Sequence, residues 1–488
     1  MPVLPPGPDT PGRPALPAAD PAHSRPQVPF APSEPAASDD HRQLRHTPHL
    51  RFEHQKVGSS MSTSADPVGG GSVVADTPPP PGGRVRPQRR YWVRTLAMAG
   101  PAFIAGAWQF GPGNLASAVQ AGSEYSYSLI WVIAVSTIFM LVYADMSVRL
   151  GIRTPASMIS SVKDILGRRV GVSAGVGVFI ITLCFSVGNA VGSGLGLSMV
   201  FGGSPIVWSA VCTVFVGLIL LFRNVYRTVE RVLLVIVALL AATFVFSAVI
   251  AQPDWFQAVH GLVPSIPPGG QLLVVALVGT NFSLNAAFFT SYGTHERKRT
   301  AAEYRQTTIA DTIPGIVAPG IMTSLVIIVA AAVLGRQNTE ATTLAGLAKI
   351  FEPIAGPIGS TIFALGLSGA AFSAMVANAT AGGTMLSDAL GKGPSPSTPT
   401  AKRTSAVILG FGLLITILFT KSPVQLIIFA QALTVLIAPF LGLLLFVMSN
   451  NRQLMGNLRN TWWKNIIGAL GFLSILSLSG LLIYELLG

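Results

Sequence analysis

The sequence predicts an all-α integral membrane bundle of about eleven spans, arranged as two inverted five-helix repeats plus one further C-terminal helix. Three observations carry this. Half of the 488 residues are hydrophobic and 11% are charged, where a soluble domain carries about 25%. Apolar runs of roughly 20 residues, enough to cross about 30 Å of hydrocarbon, recur with short polar breaks. Two of those runs, five spans apart, are interrupted by flexible backbone.

Residues 1–90 are rich in Pro, Gly, Ser and Asp and poor in large apolar side chains. Such a segment cannot bury enough surface to offset its ordering entropy, so a disordered cytoplasmic tail is expected. It lacks the apolar core of a signal peptide, and Met61 is a plausible alternative start. A transporter domain is expected over residues 91–488, with spans at 95–119, 126–149, 172–200, 205–222, 231–251, 271–292, 311–334, 358–386, 404–420, 424–448 and 463–486.

With the N-terminus inside, each inner loop is basic: Arg153, Lys163, Arg168 and Arg169; Arg223, Arg227 and Arg231; Arg297, Lys298, Arg299 and Arg305; Lys392, Lys402 and Arg403; Arg452, Arg459 and Lys464. Outer loops hold only Arg336, Lys349 and Lys421, and Arg84, Arg86, Arg89, Arg90 and Arg94 precede the first span. This positive-inside pattern sets the orientation and implies a multi-pass protein of the plasma membrane with the lipid bilayer as a partner. The formal net charge of +12 does not imply nucleic acid, because these charges are spread between apolar spans rather than gathered on a soluble module.

The first span is broken at Gly111-Pro112-Gly113-Asn114 and the sixth around Gly279-Thr280-Asn281. Unwound helices at matching positions of inverted repeats free carbonyls and helix ends to hold a ligand, and so point to a transporter's substrate site. Close packing at the glycines is the structural alternative. No paired carboxylate and histidine, and no nucleophile with a base, lies in a span, so an enzyme is not expected. Five of seven histidines fall in the tail, and Cys184 and Cys212 sit in apolar stretches as small hydrophobes.

Gly111-Pro112-Gly113-Asn114-Leu115-Ala116, then Gln120-Ala121-Gly122 and Tyr125-Ser126-Tyr127-Ser128, resemble the Nramp family of proton-coupled divalent-metal transporters. The resemblance continues through Tyr226-Arg227-Thr228-Val229-Glu230-Arg231, Asp311, Phe363-Ala364-Leu365-Gly366-Leu367 and Leu454-Met455-Gly456-Asn457-Leu458-Arg459-Asn460, covering the chain after the tail. It implies a LeuT-type fold and a divalent cation as transported substrate, with no cofactor. It also exposes departures. The family's metal-binding aspartate is Gly111 here, and its Met-Pro-His motif falls on Ser283-Leu284-Asn285. Asn114 is retained, Gln431 matches the tenth-span glutamine that approaches the ion, and the backbone carbonyls of Trp108 and Thr280 take the two carbonyl-ligand positions. The family's proton-path acids align with Ser186 and Asn189, so proton coupling by that route is not expected.

Asn114, Ser283, Asn285, Gln431 and free carbonyls form a neutral, oxygen-rich set. Such a set suits a cation that keeps part of its water shell, as Mg2+ does, and non-typical Nramp relatives that carry Mg2+ are known. It suits a small polar organic solute equally well, and a transport-dead sensor that keeps the fold is a further alternative. Among acids near the membrane, Asp145 either belongs to an ion path or pairs with Arg149 one turn later; Asp388 is expected to cap a helix or lie solvated in a loop, and Glu230 to form an ion pair. Trp462-Trp463 read as interfacial anchors.

Overall fold

With no water in hydrocarbon to bond a free N–H or C=O, each apolar run must satisfy its backbone internally, and it does so as a helix. The computed structural model describes residues 100–221, 241–242, 244–335, 352–419 and 421–487, all within the unit Gly83–Gly488. The expected tail at 1–90, the start at Met61, Glu230 and most of the fifth span lie outside these residues.

The first span is two half-helices, α1 (Pro101–Gln109) and α2 (Pro112–Tyr125), each opened by a proline, whose missing N–H costs nothing at a first helical position. There follow α3 (Ile130–Arg153), the short α4 (Met158–Leu166), α5 (Arg168–Phe201), α6 (Pro205–Leu221) and the one-turn-and-a-half α7 (Trp255–His260). The sixth span divides into α8 (Gln271–Asn281) and α9 (Leu284–Glu296). A π-helical turn, Thr308–Thr312, leads into α10 (Ile313–Val333), then come α11 (Glu352–Ala389), α12 (Pro399–Leu418), α13 (Pro423–Leu433), α14 (Ala438–Asn450) and α15 (Trp462–Leu487). Among the described residues, seven helices are long and apolar enough to cross a membrane, and α13 with α14 makes an eighth span bent by 43°.

The first span is seated deep in the bundle. A Cβ on Gly106 would lie 1.6 Å from the Gly315 carbonyl oxygen, and one on Gly122 would lie 2.3 Å from that of Ile327. Only glycine lets α1 and α2 approach α10 this closely, which is how helices in lipid gain packing without a hydrophobic drive. Of the seven spans, the sixth is the most enclosed and α15 the least. Trp462 and Trp463 stack at the start of α15 with ring centroids 3.8 Å apart, both exposed.

Three acids tie helix ends together. Asp311 accepts from the backbone N–H of Gly100 at 2.7 Å and of Ala102 at 3.2 Å, capping α1 from 211 residues away. Asp145 pairs with Arg149 at 3.0 Å and with Lys464 at 2.8 Å, and accepts from the Tyr304 hydroxyl at 2.6 Å. Arg149 then donates to the Leu458 carbonyl and the Asn460 side chain, both at 2.7 Å. The ion pair expected for Asp145 is thus present, as part of a clamp between α3 and α15.

Asp388 departs from expectation. It neither caps a helix nor sits in solvent: it is 2% exposed and accepts from the hydroxyls of Tyr292 (2.5 Å), Ser160 (3.0 Å) and Ser157. Lys163 donates to its backbone carbonyl. A buried carboxylate needs such donors to stand in for water, and here they come from α4, α9 and the residue that caps α4.

Two breaks also differ. The sixth span stays helical through Asn281 and opens at Phe282–Ser283 instead of at Gly279–Asn281. Gly279 is a packing glycine, since its Cβ would meet the Gln431 carbonyl oxygen at 2.6 Å and Thr434 Oγ1 at 2.8 Å. The tenth span, expected to be continuous, breaks after Leu433 into a 3-10 turn, Thr434–Leu436, before Pro439 starts α14.

Candidate substrate-binding site

Phe110 (φ −78°, ψ 41°) and Gly111 (φ −86°, ψ −179°) carry the chain from α1 to α2. The Gly111 angles are extended backbone that any residue adopts, so the glycine is not a conformational need. Its Cβ would stand 3.3 Å from the Trp108 carbonyl oxygen, 3.5 Å from Ala374 Cβ and 3.7 Å from Asn189 Oδ1. The absent side chain therefore faces Asn189, which is 3% exposed and whose Nδ2 has no partner.

Asn114 sits in the first turn of α2. Its Nδ2 donates to the Gln109 carbonyl at 3.2 Å, which fixes the amide and leaves Oδ1 as a buried acceptor without a donor. Gln109 also reaches across, its Nε2 donating to the Asn281 carbonyl at 3.3 Å. That bond joins the end of α1 to the end of α8. Asn281 in turn donates to Ser136 Oγ at 2.7 Å and Thr137 Oγ1 at 2.9 Å, holding the sixth-span break against α3.

On the far side of the break, Ser283 Oγ donates to Asn285 Oδ1 at 2.6 Å, leaving Asn285 Nδ2 unpartnered. These two side chains bond to each other and not to Asn114 or Gln431. The Thr280 hydroxyl donates within its own helix, to Leu277 at 3.1 Å and Ala276 at 3.2 Å. Its part in the site is limited to its carbonyl, which, like that of Trp108, lies in a last turn where intrahelical donors run out. The Trp108 ring packs edge-on to Phe289 and Phe185, with centroids 6.2 and 6.5 Å away.

Gln431 comes from the bent span. Its carboxamide lies between two glycines: a Cβ on Gly113 would be 2.4 Å from Cδ, and one on Gly188 would be 2.7 Å from Nε2. Gln431 is fully buried, and neither Oε1 nor Nε2 has a hydrogen-bond partner. Thr434 Oγ1 donates to the Gln431 carbonyl at 2.6 Å, and 3.4 Å separates it from that of Gly279, linking the bend to α8.

Of the residues expected from sequence, Trp108, Gly111, Asn114 and Gln431 converge with Asn189 at the start of α2; Thr280, Ser283 and Asn285 line the sixth-span break. Gln109 and Thr434 were missed, and Asn281 was read only as part of the break. A glutamine two residues before the first break, and Pro439 inside an apolar run, were the available signals. Ser186 lies apart, its hydroxyl donating to the Ile408 carbonyl of α12 at 2.7 Å. Among the described residues no group of three His, Cys, Asp or Glu could hold a metal, and the side chains named at this site are all uncharged. Leaving a buried polar group unpaired costs about 1–3 kcal/mol, and Asn114, Asn189, Asn285 and Gln431 each carry at least one such atom.

The Nramp family model, described as natural resistance-associated macrophage protein-like, matches residues 102–485. The divalent metal cation transporter MntH of Klebsiella pneumoniae strain 342 is 27% identical over 403 residues, covering 80% of this chain and 95% of that protein. That of Deinococcus radiodurans is 26% identical over 404 residues, covering 81% and 91%. Among solved structures, the Eremococcus coleocola manganese transporter bound to an aromatic bis-isothiourea compound matches with a TM-score of 0.69 at 19% identity, over 81% of this chain and 87% of that one. Mhp1, a nucleobase-cation-symport-1 family transporter in a closed conformation, matches with a TM-score of 0.50 at 13% identity, over 78% and 91%. These likenesses show the fold, a LeuT-type helical bundle.

Proposed function

Because this chain belongs to the natural resistance-associated macrophage protein-like (Nramp) family, we propose that it carries a divalent cation across the plasma membrane by alternating access. The cation keeps part of its water shell in a neutral site, a mode that tolerates Mg2+. The observation that carries this reading is the pair of buried carboxamide oxygens, Asn114 Oδ1 and Gln431 Oε1, left without donors where the first and tenth spans break. Oxygens in that state bind a cation, or water held by one, without first breaking another bond. The carbonyls of Trp108 and Thr280 add to the set.

The usual proton route of the family is not used. Ser186 and Asn189 carry no charge, and the Ser186 proton is engaged by the Ile408 carbonyl. The concentration of Lys and Arg in alternate loops supports a cytoplasmic N-terminus. Purified protein in liposomes tests the whole reading: Mg2+, Mn2+ and Ca2+ uptake followed with indicators, wild type against Asn114→Ala, with an internal pH dye. Saturable uptake that Asn114→Ala abolishes, without acidification, is expected. Absence of uptake of all three ions by folded protein refutes it.

A second reading, transport of a small polar organic solute, is favoured by the amide donors Asn189 Nδ2, Asn285 Nδ2 and Gln431 Nε2, which lack acceptors. A cation cannot use them.

A further inference from the structure

Two of these unused donors, on Asn189 and Gln431, lie at the first turn of α2. Helix α2, 14 residues long, begins at Pro112 with Gly111 as its N-cap and no side chain capping its first turn. The Gln431 carboxamide is pressed against Gly113 in that turn; Asn189 turns its Oδ1 toward the space beside Gly111, and rotating that amide to present its unpartnered NH2 there breaks no side-chain hydrogen bond. Both side chains are more than nine-tenths buried, and both carry an NH2 group with no acceptor. A carboxamide offers a donor and an acceptor whichever way round it sits, so Gln431 presents an NH2 in either orientation.

A positive helix end with converging N–H donors is an anion-binding arrangement, and half-helix N-termini at the midplane of such transporters face anionic substrate groups. A bare cation leaves these donors unmet. So does a hydrated one, because its water molecules turn their lone pairs toward the ion and only their hydrogens outward. Oxygens for the cation stand next to the same place: Trp108 O is 3.3 Å from the Gly111 Cβ position, and Asn114 Oδ1 has no donor.

We propose that the start of α2, with Asn189 and Gln431, is a carboxylate subsite, filled by a carboxylate that the substrate brings with it into the space left beside Gly111. The cation is then carried as a complex with a small carboxylate, so this inference rests on the cation reading and deepens it. The same subsite accepts the carboxylate of a free zwitterion, which is the other source of that chemistry.

The test uses full-length protein in liposomes with three probes: Mn2+ at a fixed free concentration, 14C-citrate, and 14C-glycine as the metal-free zwitterion. Mn2+ uptake is expected to rise at least tenfold with citrate, and 14C-citrate to enter only with Mn2+. Gly111→Asp, which tethers a carboxylate in the subsite, should make Mn2+ uptake independent of citrate and lower 14C-citrate uptake at least tenfold. Asn189→Asp, which places a negative charge against the subsite, should lower 14C-citrate uptake likewise; if either protein is not monodisperse, Asn189→Ala replaces it. Uptake of 14C-glycine without Mn2+ supports the subsite and removes the cation reading. Equal Mn2+ uptake with and without citrate, with neither 14C probe moving, overturns the subsite and keeps the cation reading. No movement of any probe by monodisperse wild type overturns both.

Discussion

Gln431 buries both ends of its carboxamide between Gly113 and Gly188 with neither end hydrogen-bonded, and Gln431→Met measures what that arrangement costs the resting protein. Methionine has nearly the same length and volume and a similar helix propensity, so packing and helix terms change little. What changes is the amide. An unpaired buried donor or acceptor costs about 1–3 kcal/mol, and Gln431 has one of each, so relief of at least about 1 kcal/mol should outweigh any small misfit of the thioether. The substrate-free variant in nanodiscs should unfold at higher denaturant concentration than wild type while its uptake falls at least tenfold. A gain in stability with a loss of transport marks a residue kept for binding rather than for folding. Destabilisation by more than about 1 kcal/mol would refute the reasoning, because it would mean that the amide has partners in the resting state.

Gly113→Ala should drive a methyl into the same amide, which Gly188 blocks on its other side; overpacking of this kind costs about 1–3 kcal/mol. Combined with Gln431→Ala it should show a coupling energy of at least 0.5 kcal/mol, about the floor for residues in contact, and the helix-propensity gain of alanine cancels in the cycle; additive effects on unfolding would place the amide elsewhere. Asp388→Ala removes the acceptor of three hydroxyls and should destabilise by clearly more than the roughly 1.5–3 kcal/mol that Tyr292→Phe, which breaks one bond to the carboxylate, costs. Equal effects of those two substitutions in thermal unfolding would show that the carboxylate does not gather the three donors.

How much of this was legible in the sequence depends on how local each cause is. The spans that fall within the described residues were legible because backbone satisfaction in lipid is a property of each segment alone. The first break was legible too, since Gly111-Pro112 ends one helix and starts another by local stereochemistry. At the sixth span, Gly279 looked like the breaker, but its task is to admit the Gln431 carbonyl; Gln109, from the other repeat, takes up the Asn281 carbonyl where the helix stops. The tenth-span bend carried only Pro439 as a clue. Asp388 was read as a helix cap or as solvated because its donors lie 96 to 231 residues away. At the site, Asn114 and Gln431 were found by family position, whereas the idle NH2 groups that set apart Asn189 and Gln431 show only once the helices are packed.

The cap on α1 has a consequence for the working cycle. Asp311, on the π-helical turn before α10, holds the amides of Gly100 and Ala102. Any conformer in which α1 swings away from α10 forfeits both bonds. Bonds to charged groups contribute about 1.5–3 kcal/mol each, so the pair biases the equilibrium by about a hundredfold to ten-thousandfold. That handicap must be repaid by whatever the cargo gains in the swung-out state, or that state stays rare. The balance between the two states is then weighted by a carboxylate that is not among the candidate site residues.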